Sequence, residues 1–179
     1  KRGRGTRKLG LRADMDALPI VEATGLPYAS THAGLMHACG HDGHTAILLA
    51  AAEYLATSAA FDGTLNLIFQ PAEESLGGAR KMMEDGLFDH FPCDAIFAMH
   101  NMPGFTPGQL LLREGATMAS SENILVHIDG KGGHGAMPHL SADPLVAGSA
   151  IVMALQTIVS RNVPPLQMAV ITVGCFQSG

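Results

Sequence analysis

Three times in the first hundred residues, a strand-like apolar run ends on side chains able to do acid–base or metal chemistry. Lys8 to Asp16 alternates, with Leu9 and Leu11 on one side, and closes on Asp14 and Asp16. Thr64 to Gln70 is nearly continuous in apolar character and runs straight into Pro71-Ala72-Glu73-Glu74. Asp94 to Met99 is a second such run and ends at His100. Continuous apolar strands suit a parallel sheet covered on both faces. Between the runs lie helical patterns. Ile47, Leu48, Ala51, Ala52 and Leu55 make an apolar stripe in a helix expected over Thr45 to Ala60. Gly77 to Asp85 reads as a short helix with Gly86 as its C-terminal stop. The rhythm is β–α–β–α–β, which predicts an α/β fold with a mostly parallel sheet and flanking helices. Ligands of such sheets bind at the carboxyl ends of the strands. Asp16, Glu73, Glu74 and His100 are therefore expected to converge with the loop at residues 37–44.

That loop, His37-Ala38-Cys39-Gly40-His41-Asp42-Gly43-His44, holds four metal-capable side chains within six residues: Cys39, His41, Asp42 and His44. Thiolate and imidazole two residues apart suit zinc or a neighbouring divalent ion. His44 is the weakest of the four, because it falls in the first helical turn, where it would pack or support a ligand. Glu73 and Glu74 are adjacent and point in different directions. One can bind a metal while the other takes the proton of a water. His100 follows a buried-type strand and is a ligand candidate. Asp16, and less strongly Asp14, could orient a ligand histidine by a carboxylate–histidine hydrogen bond.

After Gly115 the pattern changes. Gln109 to Arg113 reads as a short strand before the change. Asn123 to Asp129 alternates strictly, Gly130 to Gly135 is a flexible loop carrying His134, and Met168 to Val173 is a further strand. Asp143 can cap a helix with Pro144 at its first turn, running to about Arg161. A domain boundary is expected near Thr117, with residues 1–116 as one unit and 117–179 as the start of a second. Two strands and one helix are too few to bury a core alone. The second unit is therefore expected to be truncated or to pair with another chain.

Composition excludes several classes. Six of the eleven basic residues lie in the first twelve positions, which leaves five against sixteen acidic ones afterwards. No basic face remains for nucleic acid. No apolar run approaches the length that spans a bilayer, so no membrane partner is expected. Cysteines at 39, 93 and 175 are odd in number and widely spaced, which argues for a reducing, cytoplasmic setting rather than a disulfide framework. The chain does not begin with Met and stops just after a strand-like run, so both ends look cut. No Gly-x-Ser-x-Gly elbow and no phosphate-binding Gly-x-x-x-x-Gly-Lys-Ser/Thr loop is present. A Cys39–His nucleophilic dyad remains open, but it leaves the glutamate pair without a use.

Taken in order, several segments resemble the M20 metallopeptidase family, in its aminoacylase/hippurate hydrolase (N-acyl amino acid amidohydrolase) branch. They are Leu11 to Pro19 (LRADMDALP), Met36 to His44 (MHACGHDGH), Phe69 to Glu74 (FQPAEE), Ala98 to His100 (AMH), Gly130 to His139 (GKGGHGAMPH) and Ser160 to Val163 (SRNV). The resemblance implies two divalent metals, zinc or manganese, with Cys39, His41, Glu74 and His100 as ligands and Cys39 in the bridging position. It implies Glu73 as the general base that takes the proton of the attacking water and returns it to the leaving amine. Asp16 would hold the site in place. His134 would open an α+β lid or dimerisation domain, reach the active site of a partner subunit in a homodimer, and stabilise the tetrahedral intermediate or the substrate carboxylate. His139 is a fainter candidate for the same task. The implied reaction is hydrolysis of the amide bond of small N-acyl amino acids, with benzoyl, acetyl or indole-acetyl groups. Family members have about twice this length, so one further ligand histidine and part of the substrate pocket would lie in a segment this sequence does not include. A chain of only these residues is then expected to bind metal weakly and turn over little. A non-catalytic metal-binding or dimerisation fragment is the second expectation, and a thiol hydrolase using Cys39 is the third.

Overall fold

Strand β1 (Lys8–Asp14) has a partner on each side, β2 (Thr64–Gln70) and β3 (Ala95–Ala98), in the order β2-β1-β3. Both pairings are parallel. Lys8 faces Thr64 and Asp14 faces Gln70 along one edge, while Leu9 faces Ala95 and Arg12 faces Ala98 along the other. The computed structural model describes residues 1–57, 61–74 and 77–178. The chain divides into two units, Lys1–Pro107 and Gly108–Gly179.

Between β1 and β2 the chain forms α1 (His41–Thr57), and between β2 and β3 it forms α2 (Gly78–Glu84) and α3 (Leu87–His90). This is the α/β arrangement of parallel strands and helices that the apolar rhythm predicts. Helix α1 starts at His41, four residues ahead of the expected Thr45, so His41 and His44 both stand on its first turn. The end expected at Ala60 lies outside the described residues. Asp42 in that first turn opposes the positive end of the helix dipole. Gly86, with φ of 85°, is the left-handed stop expected after α2.

The core of this unit is small and unusually polar. Ala13, Leu48 and Ile68 are its buried apolar side chains, while His41, His44 and Asp14 are the largest that are fully buried. The expectation that the strand over 94–99 is buried needs correction. All four residues of β3 are exposed, with Phe97 60% accessible, because β3 is an edge strand with no described element beyond it. On the α1 side of the sheet an open groove of about 630 Å³ remains, lined by Leu9, Leu11, Leu55, Leu65 and Phe97. It lies at the amino ends of the strands, beside Lys8, Thr64 and Ala95, at the opposite end from the chemistry-bearing residues.

The second unit contains α4 (Pro144–Thr157), which continues as a π-helical stretch over Ile158–Asn162. Asp143 caps it as expected, its carboxylate accepting from the Leu145 and Val146 amides with Pro144 in the first turn. The strands expected over 109–113, 123–129 and 168–173 are not strands here. Alternation is a local property, whereas a strand exists only when a second segment accepts its backbone hydrogen bonds. Among the described residues of this unit, Lys131 and Ala142 form the one isolated bridge. The segments still approach α4. A Cβ at Gly148 would stand 2.8 Å from the Phe176 ring and 3.5 Å from Ile128. The compact units meet at Pro107 and Gly108, and the boundary expected from the sequence lies near Thr117. Pro144–Asn162 is 19 residues long and apolar enough, by length and composition only, to cross a membrane. The π-helical continuation supplies the last five of these residues.

On β1, Gly10 leaves little room for a side chain. A Cβ there would be 3.0 Å from Ile96 Cγ1, 3.1 Å from Cys93 Sγ and 3.3 Å from Ile68 Cδ1. Gly10→Val is expected to lower stability by about 1–3 kcal/mol through overpacking. Urea unfolding measures this, and an unchanged midpoint would mean that the sheet yields without strain.

Candidate metal centre

The strands β1 and β2 pack against α1, and the chain leaving β3 reaches the helix's first turn through Asn101. Thr45 Oγ1 donates to the Asp14 carbonyl at 3.1 Å, which ties the first turn of α1 to the end of β1. Gly40 precedes this turn with φ of 83°, and a Cβ there would meet Asn101 Nδ2 at 2.2 Å. Only glycine satisfies both demands. After β2 the chain turns through Ala72, whose φ of 52° is left-handed and costs a non-glycine residue about 1 kcal/mol. Gly78 N donates to the Ala72 carbonyl at 2.9 Å, and a Cβ on Gly78 would stand 1.8 Å from the Pro71 oxygen. That tight return presents Glu73 and Glu74 to the α1 terminus.

His41 is the centre of the resulting cluster. It is 1% accessible. Its Nδ1 lies 3.1 Å from Asp16 Oδ1 and 3.1 Å from the Asp16 carbonyl. Both partners are acceptors, so Nδ1 carries the proton and Nε2 presents a lone pair. Nε2 is buried and has no hydrogen-bond partner. It stands 3.9 Å from Glu74 Oε1 and 3.8 Å from Asp14 Oδ1. Cys39 and His100 offer further ligand atoms: Cys39 Sγ is 3.5 Å from His100 Nε2. His100 Nδ1 donates to the Asn101 carbonyl at 2.6 Å, so its Nε2 also presents a lone pair. Atoms of Cys39, His41 and His100 lie within 4.8 Å of one another, as do atoms of His41, Glu73 and Glu74.

The donor set fits a divalent cation. A buried polar atom without a partner is rare in a native fold. Here it faces a thiol, an imidazole and carboxylates, the ligands that zinc takes. The charge balance points the same way. Asp14, Asp16, Glu73 and Glu74 surround His41, while the Arg12 guanidinium is committed to Asp14 at 2.7 Å. Cys39, His41, Glu74 and His100 could therefore hold metal, with Glu73 exposed at the rim.

Electrostatics sort the remaining groups. For Asp16, burial alone raises the carboxyl. The Glu74 and Glu73 amides and the His41 ring outweigh it and hold the group below its ordinary value. The Glu74 amide donates to Asp16 Oδ2 at 3.1 Å, so one carboxylate orients both His41 and the glutamate pair. Asp14 is likewise raised by burial but lowered overall by the His44 hydrogen bond and by Arg12, His41 and His44. The Cys39 thiol is pushed up to about 11 by burial, then by its hydrogen bond to Glu74 and by the nearby carboxylates. It is thus a poor nucleophile by itself near neutral pH.

His44 donates from Nδ1 to Asp14 Oδ1 at 2.5 Å and accepts at Nε2 from the Asn101 amide at 2.9 Å. Both ring nitrogens are engaged, which suits His44 to a supporting role. Among the described residues, Asp42 does not come together with two other potential ligands. His134 belongs to the second unit. Its Nδ1 accepts from the Ala136 amide at 3.0 Å, which leaves the proton on Nε2 as a donor. Sequence reasoning missed Asn101. Its contacts to His44 and Gly40 join residues 57 and 61 positions apart, and no spacing in the sequence signals them.

The carboxyl ends of a parallel sheet thus gather a cluster of thiol, imidazole and carboxylate groups with the composition of a divalent-metal site. The profile of peptidase family M20/M25/M40 matches residues 10–174, and the chain belongs to that family. It is 54% identical over 179 residues to a hippurate hydrolase of Campylobacter jejuni, covering 100% of this chain and 46% of that protein. It is 52% identical over 172 residues to an N-acetyl-L-cysteine deacetylase of Bacillus subtilis, covering 96% of this chain and 41% of the other. A crystal structure of a putative aminohydrolase from methicillin-resistant Staphylococcus aureus superposes with a TM-score of 0.69 at 42% identity, covering 97% of this chain and 46% of that one. The Bacillus subtilis YXEP protein, described as a dinuclear metal binding peptidase from the M20 family, superposes with a TM-score of 0.54 at 48% identity over 58% of this chain and 29% of that one. The chain spans about half the length of the curated relatives it matches.

Because the Asp14 carboxyl lies below its ordinary value of 3.8, the stability it contributes is complete above that value and is lost as pH falls through its lowered one. Urea unfolding between about pH 6 and about pH 3 should show the wild-type midpoint falling more steeply than that of Asp14→Asn. Parallel acid limbs would mean that the Arg12–Asp14–His44 contacts add no stability.

Proposed function

We propose that this chain carries the metal-binding half of an amidohydrolase that cleaves the amide bond of small N-acyl amino acids. The observation that carries the reading is the buried His41 Nε2, which has no partner and faces Cys39, Glu74 and His100. Cys39, His41, Glu74 and His100 would hold two divalent ions, zinc or manganese. When bound, the ions would polarise the scissile carbonyl and acidify the attacking water.

The protein's own groups divide the remaining work. Glu73, exposed at the rim beside Glu74, takes a proton from the attacking water and delivers it to the leaving amine. Asp16 holds His41 in the tautomer that points Nε2 inward and fixes the glutamate backbone. His134 offers an Nε2–H donor to the oxyanion or to the substrate carboxylate, from the second unit of a homodimer partner. Relatives named hippurate hydrolase, N-acetyl-L-cysteine deacetylase and N-acetyldiaminopimelate deacetylase support an N-acyl amino acid as the substrate class. A cytoplasmic setting agrees with three free cysteines.

A thiol hydrolase using Cys39 is the weaker reading, since its thiol, pushed up to about 11, stays protonated at neutral pH. The test is N-benzoylglycine hydrolysis after stripping with a strong chelator and reloading with Zn²⁺ or Mn²⁺. Stripping should abolish turnover and reloading should restore it. Glu73→Gln should cost at least about 100-fold in kcat with metal content unchanged. Chelator-resistant activity that an alkylating agent abolishes would transfer the chemistry to Cys39. No effect of Glu73→Gln on any property would mean a non-catalytic module.

A further inference from the structure

Asn101 bridges two parts of the metal centre, and the proposed reaction gives it no task. Its carbonyl accepts from His100 Nδ1 at 2.6 Å. Its side-chain Nδ2 donates to the Gly40 carbonyl at 3.4 Å and occupies the space a Gly40 Cβ would need. One residue therefore touches the His100 side of the site and the Cys39–His41 turn. Asn101 is held in its turn. Its amide donates to His44 Nε2, His44 Nδ1 donates to Asp14, and Asp14 accepts from Arg12 at 2.7 Å. His44 and Asp14 are each 2% accessible, so this anchor is buried in the body of the unit.

We propose that Asn101 is a positioning residue for the metal centre: anchored by the Arg12–Asp14–His44 chain, it sets where His100 stands relative to the Cys39–His41 turn. The proposal rests on the metal reading above. Asp14, His41 and His44 also lie close enough together to suggest a metal group of their own. Both nitrogens of His44 are taken by hydrogen bonds, which makes that trio part of the anchor instead. Two ligand atoms, Cys39 Sγ and His100 Nε2, sit 3.5 Å apart on segments 61 residues apart in sequence. Asn101 contacts the His100 side through its backbone and the Gly40 turn through its side chain, so losing the side chain should loosen that separation.

Co²⁺ titration of the full chain tests this with a readout independent of turnover. The thiolate-to-cobalt charge-transfer band reports Cys39, and the ligand-field bands report the rest of the coordination shell. Asn101→Ala keeps the backbone contacts to His100 and His44, removes a side chain that touches the Gly40 carbonyl and approaches His44 Nε2 at 3.0 Å, and should leave the far-ultraviolet circular dichroism unchanged. With the Gly40 turn freed, its Co²⁺ affinity should fall about 10-fold, the low end of what an outer-shell change costs, with altered ligand-field bands and a retained thiolate band. His44→Ala should behave alike. His44→Gln, which keeps an acceptor for the Asn101 amide and a donor for Asp14, should recover most of the affinity, which a packing role alone would not produce. Wild-type affinity and spectrum in Asn101→Ala, or equal losses in His44→Gln and His44→Ala, would overturn the positioning role. Absence of the thiolate band in the wild type would instead overturn the metal reading and this proposal with it.

Discussion

Two carboxylate–histidine pairs, the partly buried Asp16 with His41 and the buried Asp14 with His44, are what the rest of this structure depends on. Charge is costly to bury unless it is paired and hydrogen-bonded. Here pairing does more than offset that cost. Each carboxylate fixes which ring nitrogen of its histidine is protonated, and so which nitrogen is left to face the site. For His41 the free nitrogen has no protein partner. For His44 it is met by the Asn101 amide. Two histidines three residues apart on one helical turn thus acquire opposite roles from what stands opposite their Nε2 atoms.

The parallel sheet makes these pairs possible. Asp14 ends β1 and Asp16 follows two residues later, while α1 begins at His41. The central position of β1 puts the β2 exit on one side and the β3 exit on the other. The glutamate pair and His100 are therefore delivered to His41 from opposite flanks. Ligands of open α/β sheets collect where neighbouring strands send their chains in different directions, and this site follows that rule. The polarity of the core is a consequence. With three strands, the residues that are most enclosed are the ones surrounded by the converging loops.

Much of this was legible in the sequence. A strand ending near Asp14 and Asp16, another ending at Gln70 and the cap at Asp143 follow from alternation, apolar runs and helix-start chemistry, all of which act within a few residues. The gathering of Asp16, Cys39, His41, Glu73, Glu74 and His100 was also readable, because parallel topology places strand ends together. The second unit was not readable in the same way. Its alternating segments at 123–129 and 168–173 carry a strand pattern without forming a ladder, because the pattern contains no information on whether a partner stands alongside. The exposure of β3 has the same origin: an apolar run specifies a strand but not its place in the sheet.

The sequence by itself determined the types of ligand atom, the order in which they occur and the parallel architecture that brings them to one end of a sheet. These depend on local periodicity and on short-range turn residues such as Gly40 and Gly86. Only the tertiary structure decided what each group does there. It separated His41 from His44, since that distinction rests on contacts with Asp16, Asp14 and Asn101. It raised the Cys39 thiol through burial and the glutamates beside it. It brought in Asn101, an ordinary residue after a strand, through contacts 57 and 61 residues away. Protonation state and orientation are set by neighbours in space, and those neighbours exist only once the chain has folded.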